Sequence, residues 1–194
     1  MVRDQLADCP DSRVVAAMAA LPREDFVPSD ARACAYADGA LPISAGQTIS
    51  QPRVVAMMLA ALRLAPGMRV LDVGCGSGYA AALIADLVAP GPVFAIERQS
   101  ALVAPARARL VGRHITVHHA DGTVGWPDDA PYDAIHVAAA ADEVPAALLA
   151  QLAPGGRLVI PLGPDRAQEL WLYEGGARTS LGGVRFVPFL PGTA

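Results

Sequence analysis

The most constraining feature of this chain is a set of alternate glycines at the junction of an apolar strand and an alanine-rich helix. Arg69–Val73 reads as a strand and Tyr79–Val88 as a helix, and between them stand Gly74, Gly76 and Gly78, preceded by Asp72. Glycine lacks a Cβ and accepts positive φ, so backbone can pass close to a ligand there, and the helix that follows presents free N–H groups. Strand, glycine turn and helix in this order open a βαβ unit. The same glycines also read as a tight turn packing helix on strand, so spacing alone names no ligand.

The alternation continues downstream. Pro92–Glu97, Ile115–His119, Tyr132–Ala139 and Arg157–Pro161 read as strands, Ser100–Val111 and Val144–Leu152 as helices, and the last strand follows the turn Pro154-Gly155-Gly156. Strands alternating with helices predict an α/β fold, a Rossmann-like doubly wound, mostly parallel sheet with helices on both faces. Glu169–Tyr173 and Val184–Val187 are expected to add a C-terminal antiparallel pair. Ahead of the core, Val14–Leu21 reads as a short helix capped by Asp11 or Ser12 and ended by Pro22, and Arg53–Leu62 as another. Phe26–Gln51 between them is mostly loop, and so long a loop in a compact domain is more often functional than idle. The chain is expected to be one domain, 1–194, with a boundary near Leu62 between an N-terminal extension, 1–62, and the core, 63–194.

At 194 residues a core can bury roughly 70% of the unfolded surface without metal or disulfide. The three cysteines, Cys9, Cys34 and Cys75, show no metal-ligand spacing and read as reduced thiols, which points to a cytoplasmic protein. Met1–Leu6 opens with mixed charge and no apolar leader follows, and no apolar run approaches the roughly 18 residues of a membrane span. Net charge is −4, and the basic residues are all arginine, scattered from Arg3 to Arg185. That distribution gives no footprint for nucleic acid. Neither a membrane nor a metal is expected, and a monomer is slightly favoured.

Two carboxylates follow the glycine loop at informative places. Glu97 ends the second core strand, where a carboxylate can accept hydrogen bonds from both ribose hydroxyls. Asp121-Gly122 follows the third, and reads equally as an ordinary turn. The string Val70-Leu71-Asp72-Val73-Gly74-Cys75-Gly76-Ser77-Gly78-Tyr79 resembles the first motif of class I S-adenosylmethionine-dependent methyltransferases rather than the dinucleotide spacing G-x-G-x-x-G. The resemblance implies S-adenosyl-L-methionine as cofactor and S-adenosyl-L-homocysteine as product. It assigns Asp72, which can orient water or receive the cofactor ammonium, together with Gly74, Gly76, Gly78 and Glu97, to cofactor binding. Asp121 and Gly122 fall where the adenine amino group is usually met.

A second segment is more specific. Gly46-Gln47-Thr48-Ile49-Ser50-Gln51-Pro52, an apolar helix and then the glycine loop closely resemble the protein-L-isoaspartate O-methyltransferase family. Ordered matches at Pro22–Pro28, Tyr36–Asp38, Glu97-Arg98, Asp121–Trp126 and Pro154–Pro164 extend the likeness over nearly the whole chain. Residues 1–62 then become the substrate side. The family's active-centre serine maps onto Ser50, with Gln47 and Thr48 as further substrate contacts. Ser50 also reads as an N-cap for the helix that follows, and both roles can hold together.

The resemblance implies methyl transfer to the free α-carboxylate of isoaspartyl residues in damaged peptides and proteins, the ester then closing to a succinimide that returns some aspartate. A carboxylate is ionised at neutral pH, so the task is alignment and exclusion of water rather than general-base catalysis. Rival readings are a carboxyl methyltransferase for a particular aspartate or a small carboxylate, and a non-catalytic protein that binds the cofactor or damaged peptides. His136, within a strand, reads as a core group. His118 and His119 face opposite sides of theirs, and Trp126 reads as packing beside the cofactor site. Arg185 reads either as closing over substrate or as a solvated strand residue. Ala138, Asp142 and Ala120 depart from the family pattern, as does the segment around Cys9-Pro10, and the first two bear on substrate choice.

Overall fold

The computed structural model describes residues 5–194, and Met1–Asp4 of the mixed-charge N-terminus lie outside the described residues. Helix α1 (Ser12–Ala20) starts where Asp11 accepts the Arg13 N–H, turns Val14 and Met18 inward and ends before Pro22. A 3₁₀ turn, Arg23–Phe26, leads into the segment expected to be mostly loop, which carries two more, Ser29–Cys34 and Ser44–Gly46, and a short hairpin of β1 (Leu41–Pro42) and β2 (Thr48–Ile49). Helix α2 (Pro52–Leu62) begins at Pro52. The residue before a proline is held extended, so Gln51 rather than Ser50 becomes the N-cap, and no side chain bonds the helix end there. The capping role expected of Ser50 is therefore overturned.

The core follows as β3 (Val70–Val73), α3 (Tyr79–Val88), β4 (Val93–Glu97), α4 (Ser100–Arg109), β5 (Ile115–His119), β6 (Tyr132–Val137), α5 (Ala146–Ala150), β7 (Leu152–Leu162), β8 (Gln168–Glu174) and β9 (Ala177–Val184). The seven strands lie in the order β5-β4-β3-β6-β7-β8-β9, parallel from β5 through β7 and antiparallel thereafter. The chain runs from β3 outward to β5 and then returns to the far side of β3 with β6. This reversal puts a topological switch point at the C-terminal end of β3, where ligands of open α/β sheets bind.

Strand pleating distributes the core. Val70 points into a cluster with α2, α3 and α4, whereas Leu71 and Val73 point into another with Tyr132, Leu148 of α5 and Ile160. Asp72 falls on the side of Val70. By the same alternation Glu97 and His136 share that side with Ala95 and Ala134. Three polar side chains thus converge beneath the face covered by α2 and α3, and each is buried.

Two expectations fail in detail. The second strand of the C-terminal pair is Ala177–Val184, not Val184–Val187. It follows β8 directly through Gly175-Gly176, and its residues are mostly exposed, so a polar edge strand shows no apolar alternation to read. Val184–Val187 instead leaves the edge: Gln168 bonds both the N–H and the carbonyl of Phe186, and the Val187 carbonyl accepts from Ala140. Helix α5 is shorter than Val144–Leu152, since Pro145 caps it and Leu152 already pairs with Tyr132. Among the described residues no helix is long and apolar enough to cross a membrane.

Candidate active site

The glycine loop is fixed from the neighbouring strand. The N–H groups of Gly74 and Cys75 both donate to the Ile96 carbonyl, at 2.8 and 3.0 Å, and the Gly76 N–H donates to Glu97 Oε2 at 2.8 Å. Gly76 sits at φ 55, which lets that N–H turn back toward β4. Glu97 Oε1 accepts from Gln99 N–H at 2.8 Å. Each oxygen keeps acceptor capacity after one such bond, and Glu97 lines a cavity beside the loop, so it can still receive hydroxyl donors.

That cavity brings most of the expected residues together. Gly74, Gly76, Glu97 and Gly122 line it from the core, and Gln47, Thr48 and Ser50 line it from the N-terminal loop. Asp72, Gly78 and Asp121 do not line it, although each adjoins a residue that does. Asp72 is fully buried, its Oδ1 is 2.7 Å from His136 Nδ1, and its Oδ2 and His136 Nε2 have no partner among the described residues. The expectation that His136 is a hydrogen-bonded core group describes this pair, although His136 also reaches the cavity wall. Gly78 caps α3 with φ 91.

Asp121 is tied to the chain rather than turned inward. Its Oδ1 accepts from the Thr123 N–H and hydroxyl, at 2.8 and 2.7 Å, and its Oδ2 accepts from the Gly192 N–H at 2.7 Å. Burial alone pushes this carboxyl up, but the bonds from Gly192 and Thr123 outweigh it and hold the group below its ordinary range. Gly122 next to it has no room for a side chain, because a Cβ would stand 2.6 Å from Val73 Cγ1 and 2.9 Å from Phe189 Cε2. Trp126 packs away from the cavity, its ring stacked on His118 with centroids 3.9 Å apart.

Residues 187–190 form a wall that the sequence reading missed. Phe189 N–H donates to the Ala140 carbonyl, Arg98 donates to the carbonyls of Pro191 and Gly192, and Ala194 N–H donates to Arg98 carbonyl. The C-terminal segment therefore crosses the strand ends above Gly122. The signal available was the run Phe186–Leu190, apolar yet carrying Pro188, which excludes a central strand.

Thr48, Ser50, Val187 and Pro188 also line a second, open groove together with Gln168, Glu169 and Arg185. Arg185 is mostly exposed there, 3.8 Å from Asp165. Ala138 sits on the cavity wall beside Gly74, and Asp142 is exposed outside it. The described residues hold no group of three His, Cys, Asp or Glu placed to bind a metal.

A family profile described as protein-L-isoaspartate(D-aspartate) O-methyltransferase matches residues 5–193. The chain belongs to this family. A protein-L-isoaspartate O-methyltransferase of Methylorubrum populi is 52% identical over 189 residues, 94% of this chain and 88% of the relative. One from Methanopyrus kandleri is 48% identical over 189 residues, 92% and 84% of the two chains. In three dimensions the chain resembles a Plasmodium falciparum structure described as a protein-L-isoaspartate O-methyltransferase in complex with S-adenosyl-L-homocysteine. That match has a TM-score of 0.85 at 27% identity, over 97% of this chain and 96% of the other. The family match covers the N-terminal loop that carries Ser50 as well as the glycine core.

Proposed function

We infer that this enzyme transfers the methyl group of S-adenosyl-L-methionine to the free α-carboxylate of L-isoaspartyl residues in peptides and proteins, a repair reaction. The observation that carries the reading is the meeting at Thr48 and Ser50 of two spaces, the cavity walled by the glycine loop and the open groove leading outward. The family match over residues 5–193 supports it. The site fits a nucleoside cofactor, since Glu97 has spare acceptor capacity beside a glycine loop and Gly122 lets backbone form the wall.

When bound, the cofactor supplies a methyl carbon on a sulfonium, which passes to a carboxylate oxygen while the C–S electron pair returns to sulfur. Glu97 would hold the ribose hydroxyls, and Gly74 and Gly76 would bring backbone close to the methionine end. Ser50, whose hydroxyl is not used to cap α2, would donate a hydrogen bond to one oxygen of the substrate carboxylate and leave the other facing the methyl. Gln47 and Thr48 would flank the peptide. Residues 187–190, which line the cavity, would help to exclude water and so strengthen these polar contacts. Asp72, held by His136 at 2.7 Å with its other oxygen unpartnered, would orient water or receive the cofactor ammonium. The unpaired thiols of Cys9, Cys34 and Cys75 support a reducing, cytoplasmic setting.

The test is a methylation assay on isoaspartyl and matched aspartyl peptides. Labelling of the isoaspartyl peptide alone is the expected result. Equal or preferential labelling of the aspartyl peptide would overturn the assigned acceptor.

A further inference from the structure

We propose that Arg23 is a positioning residue for Ser50, which clamps both ends of the substrate-side loop and sets that loop against the start of the cofactor helix. The proposal rests on the reading of Ser50 given above. Arg23 is 1% exposed, and its guanidinium donates from Nε to the Ala35 carbonyl at 2.8 Å and from Nη2 to the Ser50 carbonyl at 2.7 Å. Ala35 and Ser50 bracket the segment that carries β1, β2, Gln47 and Thr48. One side chain therefore closes that loop at its base.

The same guanidinium lies over Tyr79, the first residue of α3, with Cζ 4.9 Å from the ring centroid. Phe26, three residues on from Arg23, meets the Tyr79 ring edge-on. The turn bearing Arg23 is itself fixed, because Tyr36 accepts the Arg23 N–H and donates its hydroxyl to Glu24. The catalytic serine of one wall is thus tied by a single side chain to the helix that opens from the other.

Burying a guanidinium is costly, and among the described residues Nη1 has no hydrogen-bond partner. A core that needed only volume would be served by an apolar residue. Arginine supplies what an apolar residue cannot, several donors in a rigid fork that can hold carbonyls of separate segments at once. A lysine has one ammonium on a flexible stem and cannot hold the same two carbonyls in a fixed relation. A displacement of the reacting groups by about 1 Å can cost on the order of a hundredfold in rate, so loss of the fork is expected in turnover.

The experiment compares Arg23→Lys, Arg23→Gln, Ser50→Gly and the double variant Arg23→Lys/Ser50→Gly. Each is measured for kcat and KM with an isoaspartyl peptide, for S-adenosyl-L-homocysteine affinity by calorimetry, and for Tm. We expect kcat to fall at least about tenfold in both Arg23 variants, with Lys retaining more than Gln, while S-adenosyl-L-homocysteine affinity stays within about threefold. In the Ser50→Gly background the Arg23→Lys change should have little further effect, because coupled residues are non-additive. Full additivity of the two losses would overturn the proposal, as would Arg23 variants that lose Tm but keep kcat below it. Failure of both Arg23 variants to fold would assign the residue to folding and overturn it equally. A fully active Ser50→Gly enzyme would instead remove the role of Ser50 itself, and that outcome is visible in the single variant.

Discussion

The two walls of the cavity are made in opposite ways. The glycine-loop wall hangs from the adjacent ends of β3 and β4, where parallel pairing from Val70↔Val93 to Val73↔Ile96 fixes every residue before the loop begins. The Ser50 wall has the pairs Leu41↔Ile49 and Pro42↔Thr48, the local bond from the Ile43 N–H to the Gln47 carbonyl, and the long-range bonds from Arg23. A wall carried by a sheet keeps its shape when one contact goes. A wall carried by a few long-range bonds does not. Changes in the first should therefore alter cofactor affinity, and changes in the second should alter turnover.

The largest effect is expected at Ser50. Ser50→Ala should lower kcat by roughly a hundredfold or more, the order found when a single positioned donor is removed from a reacting oxygen. Tm should change little, because the serine does not cap α2. Ser50→Gly should be equally slow. Steady-state kinetics beside thermal melts decide the matter: an active Ser50→Ala enzyme, or one whose loss tracks Tm, breaks the division between the walls.

The same division explains what could be read from the sequence. The alternation that marks β3, α3 and β4, with glycines where backbone must turn, is local, so Gly74, Gly76 and Glu97 could be placed by number before their surroundings were known. The assignment of Ser50 to the active centre rests on family resemblance and not on any local pattern. What stayed hidden was non-local. Arg23 looks like an ordinary charged residue until its carbonyl partners at Ala35 and Ser50 arrive. Residues 187–190 close the cavity only because the chain leaves β9 and pairs with Ala140. The expected N-cap at Ser50 failed for a local reason, the pull of Pro52 on the residue before it, and β9 was missed because an exposed edge has no apolar rhythm.

On the sheet-borne wall the effects should fall on binding. Glu97→Gln removes the charge from hydrogen bonds that are worth about 1.5–3 kcal/mol each when a charged group accepts them. Calorimetry with S-adenosyl-L-homocysteine should then show affinity weakened by at least about tenfold, with peptide KM nearly unchanged. Gly122→Ala forces a Cβ against Val73 and Phe189. Overpacking of this kind costs about 1–3 kcal/mol, and a single added methyl should show as lowered Tm and weakened cofactor affinity together. If either variant lowered kcat at saturating cofactor and left affinity intact, the two walls would not be separable.

The smallest effect tests whether the C-terminal segment belongs to the sheet-borne wall. Asp121 holds Gly192 and Thr123, and these bonds keep its carboxyl below the ordinary range against the opposing pull of burial. A carboxyl with a lowered folded pKa stabilises the native state at pH above its unfolded value, about 3.9, and that contribution is lost as pH falls through the folded value. Asp121→Asn keeps the shape but loses the charge, so it should lower Tm slightly at pH 7 and flatten the acid limb of the Tm–pH curve. The difference between the two proteins should shrink toward zero once the wild-type carboxyl is protonated. Because Gly192 leads back through Phe189 to the cavity, S-adenosyl-L-homocysteine affinity should weaken in step with the lost charge. An unchanged affinity at pH 7 in Asp121→Asn, with the Tm shift present, would show that the Asp121 tether stabilises the fold without shaping the cofactor site.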